Sequence, residues 1–192
     1  VTYYLLPNEL GKTKAKPKFT QVFSQTADIN WLAAARFFLF GARDVWFVVA
    51  LPVFLHGVLG WSFTEVGTFM ALWVIGYGLV QANAPQLLKR KGKAPEGSTA
   101  RNWALALCVI PSIMAIALGL GYSPDIVVIS GIATFGVVFA INSAIHSYLI
   151  LAYASGDKVA MNVGFYYMAN AGGRLIGTVL SGWGYQNYGL TG

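Results

Sequence analysis

The stretch WLAAARFFLFGARDVWFVVALPVFL (31–55) is 25 residues long and contains three charged side chains, those of Arg36, Arg43 and Asp44. About 20 mainly apolar residues are enough for a helix to cross the hydrocarbon core of a bilayer. The apolar residues form continuous runs and do not alternate with polar ones, as they would in a strand of a membrane β-barrel. The stretch therefore predicts a transmembrane helix.

Four later stretches have the same character: residues 62–81, 102–120, 126–153 and 159–183. Hydrophobic residues make up 56% of the 192-residue chain and charged residues only 10%, whereas a soluble domain is about 25% charged. This composition excludes a water-soluble single domain, and it is too apolar for a disordered chain. We expect an all-α polytopic membrane protein, with about five transmembrane helices bundled in residues 31–185 and the lipid bilayer as their surroundings.

The basic residues outside these stretches are divided unequally between the two sides of the predicted bundle. Residues 1–30 contain four lysines, the connector 85–101 contains five lysines and arginines, and Lys158 lies in the fourth connector. The first and third connectors and the tail 186–192 contain none. Because cytoplasmic loops are enriched in lysine and arginine, we expect 1–30 to be a cytosolic basic linker and the tail to be external. We assign the net charge of +6 to this orientation and not to nucleic-acid binding.

The remaining three basic residues, Arg36, Arg43 and Arg174, lie inside predicted spans. An arginine at the centre of a transmembrane helix costs roughly 2.5–3.5 kcal/mol on insertion scales, so it persists where it faces a cavity or a partner. Two interpretations stay open. The arginines bind an anionic substrate, or Arg43 and Asp44 form a buried ion pair with a partner on another helix while Arg36 extends to the cytoplasmic surface.

The last predicted span carries two ridges with a spacing of four residues. The polar ridge contains Tyr166, Asn170 and Arg174, which predicts a helix that lines a cavity and makes these residues substrate-binding candidates. Arg43 and Arg174 lie at similar depths, so both could reach one dianionic group. The neighbouring ridge consists of small residues that favour close packing of helix backbones, namely Ala169, Gly173, Gly177 and Ser181.

Three side chains at or near membrane depth could carry a proton in coupled transport: Asp44, Glu65 and His146. His146 also forms a polar pair with Asn142, four residues earlier on the same predicted helix. A hydrogen-bonded interior histidine is the alternative interpretation of His146.

Catalytic and metal-binding patterns are missing from the sequence. The two histidines, His56 and His146, lie on different predicted helices without clustered carboxylates, and Cys108 is the single cysteine, so the spacing of metal ligands is absent. No phosphate-binding loop or nucleophile elbow occurs either. We expect no metal, no cofactor and no enzymatic activity; an integral-membrane enzyme or an assembly subunit is the alternative from another class.

The chain resembles the C-terminal half of a major facilitator superfamily transporter. The features that carry the resemblance are the five predicted spans, the basic linker before the first span and the basic loop between the second and third spans. The spans would correspond to helices seven to eleven of that fold. The resemblance implies that a twelfth helix and an N-terminal half belong to the intact protein, and the odd number of spans and the first residue, Val1, favour the same interpretation. The cytosolic loop motif of the family is matched only loosely by GYGLVQANAPQLLKRKGK (76–93), which lacks the Asp-Arg pair.

Two strings, ARFFLFGARDVWFVVALPVFL (35–55) and YYMANAGGRLIGT (166–178), resemble the organoarsenical efflux transporters of bacterial arsenic operons, the ArsJ type. This resemblance implies export of 1-arseno-3-phosphoglycerate across the bacterial inner membrane, and a functional link to the glyceraldehyde-phosphate dehydrogenase that forms it from arsenate. Such a small anionic substrate suits a cavity with several arginines, since guanidinium groups bind oxyanions through paired hydrogen bonds. A major facilitator carrier for another organic anion or a drug is the alternative.

Overall fold

The computed structural model describes residues 26–89, 94–154 and 159–189 of the chain. Every regular element in these residues is an α-helix, and we number the helices in chain order. Their bounds are α1 Ala27–Phe47, α2 Ala50–Gly57, α3 Phe63–Lys89, α4 Gly97–Gly119, α5 Pro124–Tyr153 and α6 Val159–Tyr188. The predicted all-α class is confirmed for this part of the chain. The four lysines of the predicted linker, Lys158 and the last three residues of the predicted tail lie outside it.

Four helical segments within the described residues are long and apolar enough to cross a membrane: Ala27–Gly57, Phe63–Gln86, Gly97–Gly119 and Pro124–Tyr153. They support a multi-pass membrane protein. The fifth predicted span, 159–183, lies within α6, which has 30 residues and is long enough to cross. It is not among the helices with the hydropathy of a span, so the predicted count of five is not confirmed.

The outer helices α3 and α4 present apolar side chains on their exposed surfaces. Only 11% of the α3 span and 6% of the α4 span are buried inside the protein, against 50% for α5. A bilayer and not water would be the favourable surroundings for such large apolar patches. The exposed aliphatic residues include Leu72, Val74, Ile75, Leu79, Leu105, Val109, Ile113 and Ile116.

The connector between α3 and α4 is shorter than predicted. It was expected to cover 85–101, but α3 continues through Pro85 to Lys89 and α4 begins at Gly97. The start of α4 is stabilised by a capping box, in which the Glu96 backbone N–H donates to the Thr99 hydroxyl at 3.3 Å. Helix α4 therefore begins five residues before the predicted span 102–120.

The first predicted span is interrupted at Val48 and Val49, between α1 and α2. Pro52 explains the break, because it has no N–H for the carbonyl of Val48 and its ring clashes with that carbonyl. The backbone N–H groups of Ala50 and Val49 donate instead to the Ser181 hydroxyl of α6, at 3.1 and 3.3 Å. A partner of this kind is needed at membrane depth, where no water satisfies a broken helix.

Helices α1 and α6 form the most extensive helix pair of the described residues. A Cβ atom added at Gly173 would overlap the backbone of Phe37, and one added at Gly177 would overlap the backbone of Gly41. The ridge of small residues is therefore confirmed as a packing surface. We call this line of contact the glycine seam.

Helix α5 lies at the centre of the bundle and contacts α1, α3, α4 and α6. The core beside it includes a cluster at mid-height made of Phe40, Leu107, Phe135 and Phe139. Two further buried clusters lie towards the two ends of the bundle. This packing fixes α1, α5 and α6 around a shared interior, in which Arg36 and Asp44 are buried.

Candidate functional site

Arg36 is buried between three helices, with 4% of its surface exposed. Its Nε donates to Asn170 Oδ1 of α6 at 3.2 Å, and its Nη1 donates to the hydroxyl of Ser143 in α5 at 3.0 Å. The guanidinium carbon lies 4.0 Å from the ring centre of Phe40 and 5.1 Å from that of Tyr166, which is within cation–π range. The predicted site residues Arg36, Asn170 and Tyr166 are thus brought together. The alternative in which Arg36 extends to the cytoplasmic surface does not fit a side chain buried to this degree.

The partners of Arg36 are neutral. In the described part of the chain, no carboxylate lies within ion-pair distance of its guanidinium. Burying a charge without a countercharge is costly, and the hydrogen bonds and aromatic rings offset only part of that cost. The positive charge of Arg36 is therefore not neutralised by any described residue.

Arg43 and Arg174 converge on the carboxylate of Asp44. Arg43 Nε donates to Asp44 Oδ1 at 2.6 Å, and Arg174 Nε donates to Asp44 Oδ2 at 3.1 Å. The side chain of Asp44 is 1% exposed, that of Arg43 is 11% exposed and that of Arg174 is 54% exposed. The ion pair between Arg43 and Asp44 is thus present, as the structural interpretation expected, and it extends to Arg174. Of the two arginines, Arg174 is the one that solvent or a ligand can reach.

Arg36 and the ion pairs around Asp44 meet at the ring of Phe40. The Arg43 guanidinium carbon lies 4.8 Å from the Phe40 ring centre and 5.2 Å from that of Phe139, while Arg36 lies over the same Phe40 ring. We call Arg36, Arg43, Arg174 and Asp44 the arginine cluster. It combines three positive charges and one negative charge, which gives a formal net charge of +2.

His146 and Asn142 lie on α5 near this cluster but outside its hydrogen-bond network. His146 is 3% exposed and Asn142 is fully buried. Within the described residues, the Nδ1 atom of His146 and both amide atoms of Asn142 have no hydrogen-bond partner. Both side chains line a groove between α1, α4 and α5.

Glu65 lies at the exposed start of α3 and is not joined to Asp44 or His146. Its carboxylate accepts hydrogen bonds from the backbone N–H and the hydroxyl of Ser62, both at 2.8 Å. The Ser62 hydroxyl in turn accepts a hydrogen bond from the Glu65 N–H at 3.3 Å. This reciprocal arrangement is a capping box, which stabilises the first turn of a helix.

Sequence analysis missed Ser143, the residue that ties Arg36 to the central helix. A signal was present, because Ser143 adjoins the polar pair of Asn142 and His146 in an otherwise apolar span. The link between Asp44 and Arg174 was also missed. It depends on how α1 and α6 are rotated against each other, which no local pattern encodes.

The described residues contain no group of three or more histidine, cysteine, aspartate or glutamate side chains that could hold a metal ion. The side chains of the site are suited to charge recognition by guanidinium groups, supported by neutral hydrogen-bonding side chains. A scan against models of protein families, a search of curated proteins and a search of solved structures each found no match to this chain.

Proposed function

We propose that the chain acts in a secondary transporter that exports an organic anion, with the architecture of the C-terminal half of a major facilitator protein. The proposed substrate is the organoarsenical 1-arseno-3-phosphoglycerate, and the proposed location is the inner membrane of a bacterium. The N-terminus of the chain faces the cytoplasm, and α6 serves as the fifth span. A glyceraldehyde-phosphate dehydrogenase supplies the substrate from arsenate.

The observation that carries this proposal is the excess of positive charge in the arginine cluster. One buried carboxylate, that of Asp44, stands against three arginines. A net charge of +2 within a bundle of apolar helices is costly unless an anion compensates it. A small substrate with phosphate and carboxylate groups would supply that compensation, and guanidinium groups match the geometry of such oxyanions.

Two structural features support a transport role for this region. The break between α1 and α2 lies one turn beyond Asp44, and discontinuous helices hold the substrate or ion sites of many secondary transporters. Arg174 combines a single ion pair with a half-exposed side chain, so an incoming anion can compete with Asp44 for it. The choice of an organoarsenical over another organic anion rests on the strings 35–55 and 166–178 alone.

The test is arsenate resistance conferred by the intact gene. An arsenate-sensitive bacterial strain would carry the gene with and without a glyceraldehyde-phosphate dehydrogenase gene. We expect resistance only when both are present, together with accumulation of the organoarsenical outside the cells. Absence of resistance in cells that contain the protein in their membrane would contradict the proposed substrate.

Variants of the arginine cluster test whether its charge is needed for transport, and a matched control shows that an effect does not come from a general loss of folding. Arg36→Gln should abolish resistance, since it removes the cation that has no carboxylate partner among the described residues. Arg101→Gln is the matched control, because Arg101 is an exposed arginine in the first turns of α4. Equal resistance in the two variants would show that the charge of Arg36 is not needed, whichever anion is transported.

A further inference from the structure

The groove between α1, α4 and α5 is separate from the arginine cluster. Its volume is about 690 Å³, which is within the range of pockets that hold small organic molecules, about 300–1,000 Å³. On α1 it extends from Asp28 to Trp46, a length of about 27 Å at 1.5 Å per helical residue. The groove is therefore long and narrow, and it runs along the axis of the bundle.

The walls of the groove are mostly apolar. Trp31, Phe38 and Trp46 contribute aromatic surface from α1, and small residues of α4 such as Ala100 and Ala104 keep the groove open. The charged residues in its lining are Asp28 and Arg101, and both lie at the first turns of their helices, so their opposite charges are at one end. The middle of the groove contains no charged side chain in its lining.

Two polar side chains interrupt this apolar surface in the middle of the groove. They are Asn142 and His146, which are four residues apart on α5 and so project from one helix face. Both are almost completely buried, and the two amide atoms of Asn142 and the Nδ1 atom of His146 have no hydrogen-bond partner in the described residues. Buried polar atoms are normally paired, so this pair points to a partner that the described residues do not supply.

We propose that this groove binds a small uncharged amphiphile, namely an unbranched apolar chain that ends in a hydroxyl group. The hydroxyl both donates and accepts hydrogen bonds, which matches the carbonyl oxygen and the NH₂ group of Asn142. Because Asn142 and His146 are nearly closed off, the head group has to be small. The apolar chain lies along the groove between the aromatic residues of α1 and the small residues of α4.

An anionic ligand does not fit this groove. Arg101, the cation in the lining, lies at the same end of the groove as Asp28, and Arg36 is not part of the lining, since its donors bind Asn170 of α6 and Ser143 of α5. A plain acyl chain of the bilayer does not fit either, since it would leave the polar atoms of Asn142 unpaired.

The experiment uses the intact protein, purified in lipid nanodiscs, and two photoreactive probes. One is a dodecanol with a diazirine group on its chain, and the other is the corresponding dodecane without the hydroxyl. Labelled residues are identified by mass spectrometry, with unlabelled dodecanol as competitor. We expect saturable labelling of groove residues by the alcohol, about tenfold above that by the alkane at equal mole fraction in the lipid, from the loss of one to two hydrogen bonds.

Three variants complete the test. Asn142→Leu should lower labelling by the alcohol to the level of the alkane, whereas Asn83→Leu, at an exposed asparagine of α3, should leave it unchanged. Ala104→Trp fills part of the groove from α4 while Asn142 and His146 themselves are unchanged, and it should abolish labelling by both probes. If Asn142→Leu does not fold, this variant and the comparison of the two probes still test the proposal. Equal labelling by alcohol and alkane would overturn the proposal. So would no labelling of the groove by either probe, which is the result expected if another membrane helix covers it.

Discussion

Removal of the Asp44 carboxylate should destabilise the protein more than removal of either arginine that binds it. Asp44→Ala leaves Arg43, which is only 11% exposed, without a countercharge. Arg43→Ala leaves Asp44 paired with Arg174. Arg174→Ala removes a partner that is 54% exposed and keeps the closer pair. The expected order of destabilisation is therefore Asp44→Ala, then Arg43→Ala, then Arg174→Ala.

The expected destabilisation by each substitution follows from how deeply the affected charges are buried. Breaking a buried ion pair by removing one partner costs about 3–5 kcal/mol, which we assign to Asp44→Ala. Loss of a charged hydrogen bond costs about 1.5–3 kcal/mol, which we assign to Arg43→Ala. An ion pair with an exposed partner contributes about 0–1 kcal/mol, which we assign to Arg174→Ala. In the double variant Arg43→Ala with Asp44→Ala, the largely buried Arg43 charge that Asp44→Ala leaves unpaired is also removed, and only the half-exposed Arg174 loses its partner. The two effects should therefore not add.

The free energy of unfolding can be measured by titrating the purified protein with SDS in mixed micelles. We expect the double variant to be at least about 2 kcal/mol more stable than the sum of the single effects predicts. Additivity to within about 0.5 kcal/mol, the agreement found for independent sites, would refute the buried pair. Export measured on the same variants tests whether Arg43 binds the substrate. A folded but inactive double variant would favour a substrate-binding role for Arg43, and recovered export would exclude that role.

Three further predictions concern orientation, packing and coupling. A reporter fused after Lys93 should be cytoplasmic, because the basic residues lie on one side; labelling of Lys89 from outside intact cells would contradict the orientation. Gly177→Ala should lower the free energy of unfolding by about 1–3 kcal/mol, since its methyl group would meet the Gly41 backbone, whereas Gly182→Ala, with open space around it, should not be destabilising. Glu65→Gln should leave the pH dependence of export unchanged, because Glu65 is occupied in a helix cap; if Asp44→Asn and His146→Gln also leave it unchanged, proton coupling through these residues is excluded.

The positions of the spans could be predicted because hydropathy is a local property of about 20 residues. The ends of the helices could be predicted less accurately than their positions, because each end depends on contacts of individual residues. The break in the first span follows from Pro52, which lies within an apolar run that hydropathy treats as uniform. The early start of α4 follows from Glu96 and Thr99, whose polar side chains were assigned to the connector. α6 carries a polar ridge and two packed glycines, which lower its hydropathy below that of the four candidate spans.

Part of the candidate site could be predicted from spacing on single helices. The spacing of four residues placed Tyr166 and Asn170 on one face of α6, and both contact Arg36 in the structure. The contacts across helices could not be predicted, because they depend on the rotation of α1 against α5 and α6. The hydrogen bond from Arg36 to Ser143 and the ion pair between Arg174 and Asp44 are of this kind.

The glycine seam has a consequence for motion within the bundle. Backbone is packed closely against backbone at Gly173 and Gly177, and even one added methyl group at either position would overlap the facing helix. We therefore expect α1 and α6 to move as one rigid body that carries all three arginines. In the proposed transport cycle, access to the cluster would change at the opposite boundary, where Arg36 is tied to Ser143 of α5. A disulfide engineered between α1 and α6 should therefore leave turnover intact, and one engineered between α1 and α5 should stop it.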